Sequence, residues 1–132
     1  MGRGVIAEGA LARETSVVGE IIGSGGKVLN NEMFLQAGRV IDREGFTAAG
    51  RGSMKHGYRE GSVFPKPVGN PSQINEHGQK ILERILNHPE REVISGEFKR
   101  FGQVIDIYAP DIGGVRYSAE GKFIGFLEPK GK

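Results

Sequence analysis

The chain has 132 residues, a length that suits one domain with a modest core. It has no cysteine, which excludes disulfides, thiolate metal sites and any dependence of the fold on redox compartment. Net charge is only +2, but it is unevenly placed: Arg51, Lys55, Arg59 and Lys66 face the single Glu60 within residues 51–66, the footprint of a site for a polyanion or an acidic partner. No apolar run approaches the roughly 20 residues of a spanning helix, and no signal-peptide core opens the chain, so no stable membrane association is expected. Hydrophobic residues make up 37% and glycines number 22, which predicts turns and short strands rather than long helices.

The opening MGRGVIAEGA reads as the cut end of a longer chain. SVVGEIIGSGGKV predicts a short strand and a glycine loop. NNEMFLQAGRVI predicts a helix opening at Asn30 or Asn31, with Met33, Phe34, Ala37, Val40 and Ile41 on one stripe. In DREGFTAAGRGSMKHG, Thr47 is placed to cap a short helix and Gly57 to end it as a left-handed residue. Gly50 and Gly52 weaken that helix by about 1 kcal/mol each relative to alanine. Lys55 and His56 fall at its C-terminus, where the helix dipole favours positive charge.

The strongest helical signal is GNPSQINEHGQKILERILNHPE, capped by Asn70 or Ser72, with Ile74, Ile81, Leu82, Ile85 and Leu86 at helical spacing and Pro89 as the stop. Beyond it the period changes to two. REVIS, GQVIDIYAP, GGVRYS and KFIGFLEP predict four strands separated by turns at Gly96, Pro110–Gly114 and Ala119–Gly121. Strand phase puts Ile105, Ile107 and Ala109 on one face and Asp106, Tyr108, Arg116 and Ser118 on the other. The fold class is therefore α+β, with a helical N-terminal half packed on a four-stranded antiparallel meander. The organisation expected is a linker, delivery or helical segment over residues 1–46 and a functional core over 47–132.

The chemistry follows from what is missing and what is left. There is no P-loop, dinucleotide fingerprint, zinc-type His/Glu helix or nucleophile elbow, and no cofactor is expected. A basic set of His, Lys, Arg, Tyr and Ser remains, which suffices to cleave RNA without a metal, because the 2′-hydroxyl is the nucleophile and the protein supplies a base, an acid and cations. His56 is the candidate acid/base, since histidine ordinarily titrates near pH 6.5. Arg59 and Arg116 are candidates to neutralise the phosphorane, and Tyr108 or Tyr58 to stack on a base or give a proton. Arg51, Lys55, Lys66, Asn75, Gln79, Lys99, Arg100 and Ser118 are candidates for substrate binding.

Plainer roles compete at each position. His56 could be a solvated helix-end residue, His77 a partly buried and hydrogen-bonded one, and His88 a cap before Pro89. Arg116 and Asp106 could form a cross-strand ion pair worth about 0.2–1 kcal/mol. A metal-dependent DNase and a non-enzymatic module binding nucleic acid or protein remain open on these residues alone.

KHGYREGSVFPKPVGNPSQINEHGQKIL followed by FGQVIDIYAPDIGGVRYSAEGKFIGFLEP resembles the C-terminal toxin domains of bacterial polymorphic toxins of the contact-dependent inhibition and Rhs type, over roughly Thr47 to Pro129. The order of elements is similar to the fold shared by barnase, EndoU, colicin and RelE ribonucleases. The resemblance implies an antibacterial endoribonuclease cutting tRNA or another structured RNA. It implies delivery as part of a secreted or surface protein, action in the target-cell cytoplasm, and neutralisation by a cognate immunity protein in a 1:1 complex. His56 is assigned to catalysis from the matching block, while Arg116 and Tyr108 follow from strand phase. The two histidines and lysine of the EndoU branch have no full counterpart here.

Overall fold

The Asn70 side chain accepts from the Gln73 N–H while the Gln73 side chain accepts from the Asn70 N–H, each at 2.9 Å. This reciprocal cap and Pro71 in the first turn start the longest helix where the sequence predicts it. The same logic holds for the two shorter helices, whose caps Asn30 and Thr47 accept from Met33 and Gly50. A computed structural model describes residues 20–23 and 26–129 of the chain. The opening MGRGVIAEGA and most of the first predicted strand fall outside the described residues.

In chain order the elements are β1 (Glu20–Ile22), β2 (Val28–Asn30), α1 (Asn31–Gly38), β3 (Ile41–Arg43), β4 (Phe46–Thr47), α2 (Ala48–Gly57), α3 (Pro71–Leu86), β5 (Glu92–Phe98), β6 (Gly102–Ala109), β7 (Gly113–Ser118) and β8 (Phe123–Leu127). The α+β class is as expected: the described residues form three helices and a four-stranded antiparallel sheet in the order β5-β6-β7-β8. The first half is less purely helical than predicted, because β1–β2 and β3–β4 form two small hairpins beside the helices.

Strand phase sorts the two faces of the sheet as the sequence indicates. Ile107 pairs with Val93 and Val115, and all three are fully buried under the helices. Asp106 pairs with Ile94 and Arg116 on the opposite face. Ile21, Leu29 and Phe34 are fully buried in the same core as Ile107 and Val115. Side chains from both sides of position 46 therefore fill one core.

Four local expectations are corrected. Gly57 is not left-handed; it is the last residue of α2, followed by Tyr58 at φ −86°. Its side-chain-free α-carbon instead lies against Pro65 and Pro67, where a Cβ would come within 2.6 Å of the Pro65 carbonyl oxygen. The turn expected at Gly96 comes later, because Gly96 pairs with Val104 inside β5 and the chain reverses at Lys99–Phe101, where Gly102 supplies the positive φ of 75°. His88 does not cap α3; its Nδ1 accepts from the Glu90 N–H at 3.0 Å. The buried carbonyl of Leu86, at the C-terminal end of α3, is taken by Arg91 Nη1 at 2.6 Å and Asn31 Nδ2 at 3.1 Å. His77 is half-buried, but its Nε2 has no hydrogen-bond partner, unlike the satisfied residue expected.

The glycines that weaken α2 as an isolated helix allow it to be wedged between α3 and β8. A Cβ at Gly52 would stand 3.0 Å from Phe126 and 3.3 Å from Phe123, two rings of β8. On α3, Gly78 meets the backbone of Ala49 so closely that a methyl group there would collide with the Ala49 carbonyl. Backbone cannot move aside as a flexible side chain can, so the helices must separate. Gly78→Ala should thus lower unfolding free energy by about 1–3 kcal/mol, the usual range for overpacking, measured by urea denaturation. An unchanged midpoint would contradict this packing.

Candidate active site

A groove of about 690 Å³ runs between the exposed flank of α2, β3 and the edge strand β8. One wall is cationic: Arg51 and Lys55, one helical turn apart on α2, and Arg59, just past the end of that helix, all line the groove. Arg116 reaches it from the sheet face turned away from the core, and Lys122 from the β7–β8 turn. Five Lys or Arg residues line the groove against two carboxylates, Asp42 and Glu120. Arg51 is tied to Asp42 at 3.0 Å. Among the described residues no ion pair holds Lys55, Arg59 or Lys122.

His56 lies in the last turn of α2, only 8% exposed, and lines the same groove. Its ring packs on Phe64 at 5.2 Å between centroids, and its Nδ1 lies 2.9 Å from Glu128 Oε2. Glu128 also accepts from Ser62 Oγ at 2.7 Å and from the Val63 N–H at 3.2 Å. Partial burial works against ionisation of this carboxyl. The hydrogen bonds from His56, Ser62 and Val63, together with the charge of His56, outweigh that effect and hold its pKa below the ordinary value. An ionised carboxylate only accepts hydrogen bonds, so Nδ1 of His56 carries the proton. Nε2 is then the nitrogen left to act on a ligand, basic when the ring is neutral and acidic when it is charged.

Arg116 donates to Asp106 through Nε and Nη2, both at 2.7 Å, and its guanidinium stands 4.1 Å from the centroid of Phe98. The plainer cross-strand ion pair is therefore real, and its hydrogen bonds raise the arginine's pKa further. Nη1 is not used by that pair and remains the atom with which Arg116 can meet an anion.

The structure thus gathers His56, Arg59, Arg116, Arg51 and Lys55 around one groove. It does not bring the other sequence candidates there. Tyr108 is half-buried on β6 away from the groove lining, with its phenol pushed up by burial and by Asp106. Lys66 lies 5.7 Å over the ring of Tyr58, whose hydroxyl bonds the Pro67 carbonyl. Asn75 fixes the start of α2, accepting from the Thr47 N–H and donating to the Gly45 carbonyl, both at 2.9 Å. Gln79 is buried and donates to the Leu35 carbonyl at 3.0 Å. Ser118 Oγ accepts from the backbones of Glu120 and Lys122 in the β7–β8 turn. Lys99 and Arg100 sit on the exposed β5–β6 turn.

Sequence reasoning missed Glu128 and Ser62. Among the described residues no group of three or more His, Asp or Glu is placed to hold a metal ion.

A small α+β domain with an oriented imidazole and a surplus of cations in one groove is equipped to handle a polyanion. The family model described as the CdiA C-terminal tRNase toxin domain matches residues 35–128, and the chain belongs to that family. It is similar to the toxic C-terminal tip of CdiA from Pseudomonas aeruginosa, solved in complex with its immune protein, with a TM-score of 0.60 and 26% identity over 69% of this chain and 98% of that one. No curated protein matches the chain.

The lowered pKa of Glu128 has a signed consequence. A carboxylate whose folded-state pKa is depressed adds stability that is complete above its unfolded-state pKa and is lost as pH falls through the folded one. Glu128→Gln should therefore be less stable than the native chain at neutral pH, with the gap closing below about pH 4.5, the ordinary value for the group. Denaturation midpoints across pH 3–7 check this, and a gap that widens on acidification would contradict it.

Proposed function

We propose that this tRNase toxin domain cuts RNA by metal-independent attack of a 2′-hydroxyl, with His56 as the general base and the arginines of the groove holding the phosphate. The observation that carries the reading is the His56–Glu128 contact of 2.9 Å inside a groove with a cationic surplus. Nε2 of the neutral imidazole removes the 2′-hydroxyl proton as O2′ attacks phosphorus. Glu128 compensates the positive charge that then forms on the ring. Negative charge grows on the non-bridging oxygens, where Arg59 and Nη1 of Arg116 offer charge-assisted hydrogen bonds. The P–O5′ bond breaks in line, and O5′ leaves with a proton supplied by the Lys55 ammonium. The products are a 2′,3′-cyclic phosphate and a 5′-hydroxyl, and both protons are accounted for.

The meander with its helices on one face supports the finer reading of a barnase/EndoU/colicin/RelE-type arrangement. Residues 20–46 we assign to the same folded unit, since Ile21, Leu29 and Phe34 fill the common core. In the cell the domain travels as the C-terminal part of a larger delivered protein and acts in the cytoplasm of the target. A 1:1 acidic immunity protein covering the groove would neutralise it through charge complementarity, and the immune-protein complex of the similar toxin supports that partner.

In excess EDTA the native chain should cut tRNA to fragments ending in 2′,3′-cyclic phosphate, and replacing the scissile nucleotide with its 2′-deoxy form should abolish cutting. His56→Ala should slow single-turnover cleavage by about 10²–10⁴-fold, the usual contribution of a general base. Cleavage of DNA that requires added magnesium would overturn the mechanism.

A further inference from the structure

The β5–β6 turn carries a feature that the core does not use. Phe98 and Phe101 are 44% and 41% exposed, yet their rings lie nearly parallel, 14° apart with centroids 6.0 Å from each other. The pair is held in place from both directions. The Phe101 N–H bonds the Phe98 carbonyl at 2.9 Å, and Gly102 takes the positive φ that closes the turn. The guanidinium of Arg116, fixed by its two bonds to Asp106, stands 4.1 Å from the centroid of Phe98. Arg100 lies 5.3 Å from the centroid of Phe101. Two phenylalanines are thus kept in ordered contact at the surface, flanked by arginines. Arg116 and Phe101 both line the groove that holds His56.

We propose that this aromatic–arginine ladder is a nucleobase-stacking subsite that seats an unpaired base of the RNA next to the scissile phosphate. The inference rests on the ribonuclease reading and adds the part of the substrate other than its phosphate. Cations alone position a backbone without fixing which nucleotide enters. A flat apolar face beside them gives an unstacked base a surface to replace its lost neighbour, and planar guanidinium groups extend that surface. Exposed parallel rings in a polar setting otherwise leave apolar area in water with nothing gained. Their continuity with the cationic groove favours RNA over a protein as the occupant.

The test uses a fully 2′-O-methylated single-stranded RNA of about nine nucleotides, which binds without being cut, and the same strand with abasic sugars at its central positions. Phe101→Leu should weaken binding of the base-bearing strand about tenfold and leave the abasic strand within about twofold, while Phe101→Trp restores the native affinity. Circular dichroism and a urea midpoint confirm that the variants fold. Equal losses on both strands, no loss on either, or failure of the native chain to bind the base-bearing strand would each overturn the proposal. So would a Phe101→Leu variant that binds RNA normally but has lost affinity for an immunity protein, since the rings would then belong to that partner. Because the methylated strand reports binding without chemistry, cleavage of tRNA by the native chain is judged separately: active chain with an unaffected Phe101→Leu variant rejects the subsite alone.

Discussion

The carboxylate of Glu128 holds together the three segments that make the site. From the end of β8 it reaches His56 on α2, Ser62 in the following turn and the backbone of Val63. Those contacts span 65 to 72 residues of sequence, so the imidazole is oriented only when the sheet and the first half of the chain have come together. On the proposed mechanism, catalytic competence is thereby linked to tertiary folding. A helix such as α2, rich in glycine, has little tendency to hold a histidine in place by itself.

Packing converts that weakness into position. The small residues on α2 and α3 let their backbones approach, and Gly52 lets the same helix settle on Phe123 and Phe126. Once α2 is wedged there, its unburied flank carries Arg51 and Lys55 along the groove, and the turn that follows it brings Arg59 to the same lining. Arg116 contributes from the opposite face of the sheet, held by Asp106 and Phe98, so its charge is fixed in direction before a ligand arrives. On the proposed mechanism, preorganised charge of this kind would stabilise a developing phosphorane without the cost of reorganising side chains during the reaction.

Much of this could be read from the sequence because the relevant signals are local. Asn70, Pro71 and Gln73 specify a helix start within four residues, and the alternation through β6 and β7 specifies which side chains face away from the core. His56 and its neighbouring cations were legible from charge and residue type. What was not legible depends on long-range approach. Nothing near Glu128 shows that it meets a histidine 72 positions earlier, and the glycines of α2 signalled a weakened helix when their use is close contact. Asn75, Gln79 and Ser118 have the polarity of ligand-binding residues, but their hydrogen bonds are spent on backbone groups that only the folded chain brings near. Tyr108 had the right strand phase, and phase says nothing about distance along the strand from the groove.

The most direct measurement is nitrogen NMR of the His56 side chain in the free protein, at a pH where the ring is neutral. If an ionised Glu128 holds the imidazole, the proton sits on Nδ1 and Nε2 gives the signal of an unprotonated ring nitrogen, and Glu128→Gln disturbs that preference. A neutral His56 carrying its proton on Nε2, unchanged by the substitution, would contradict the account.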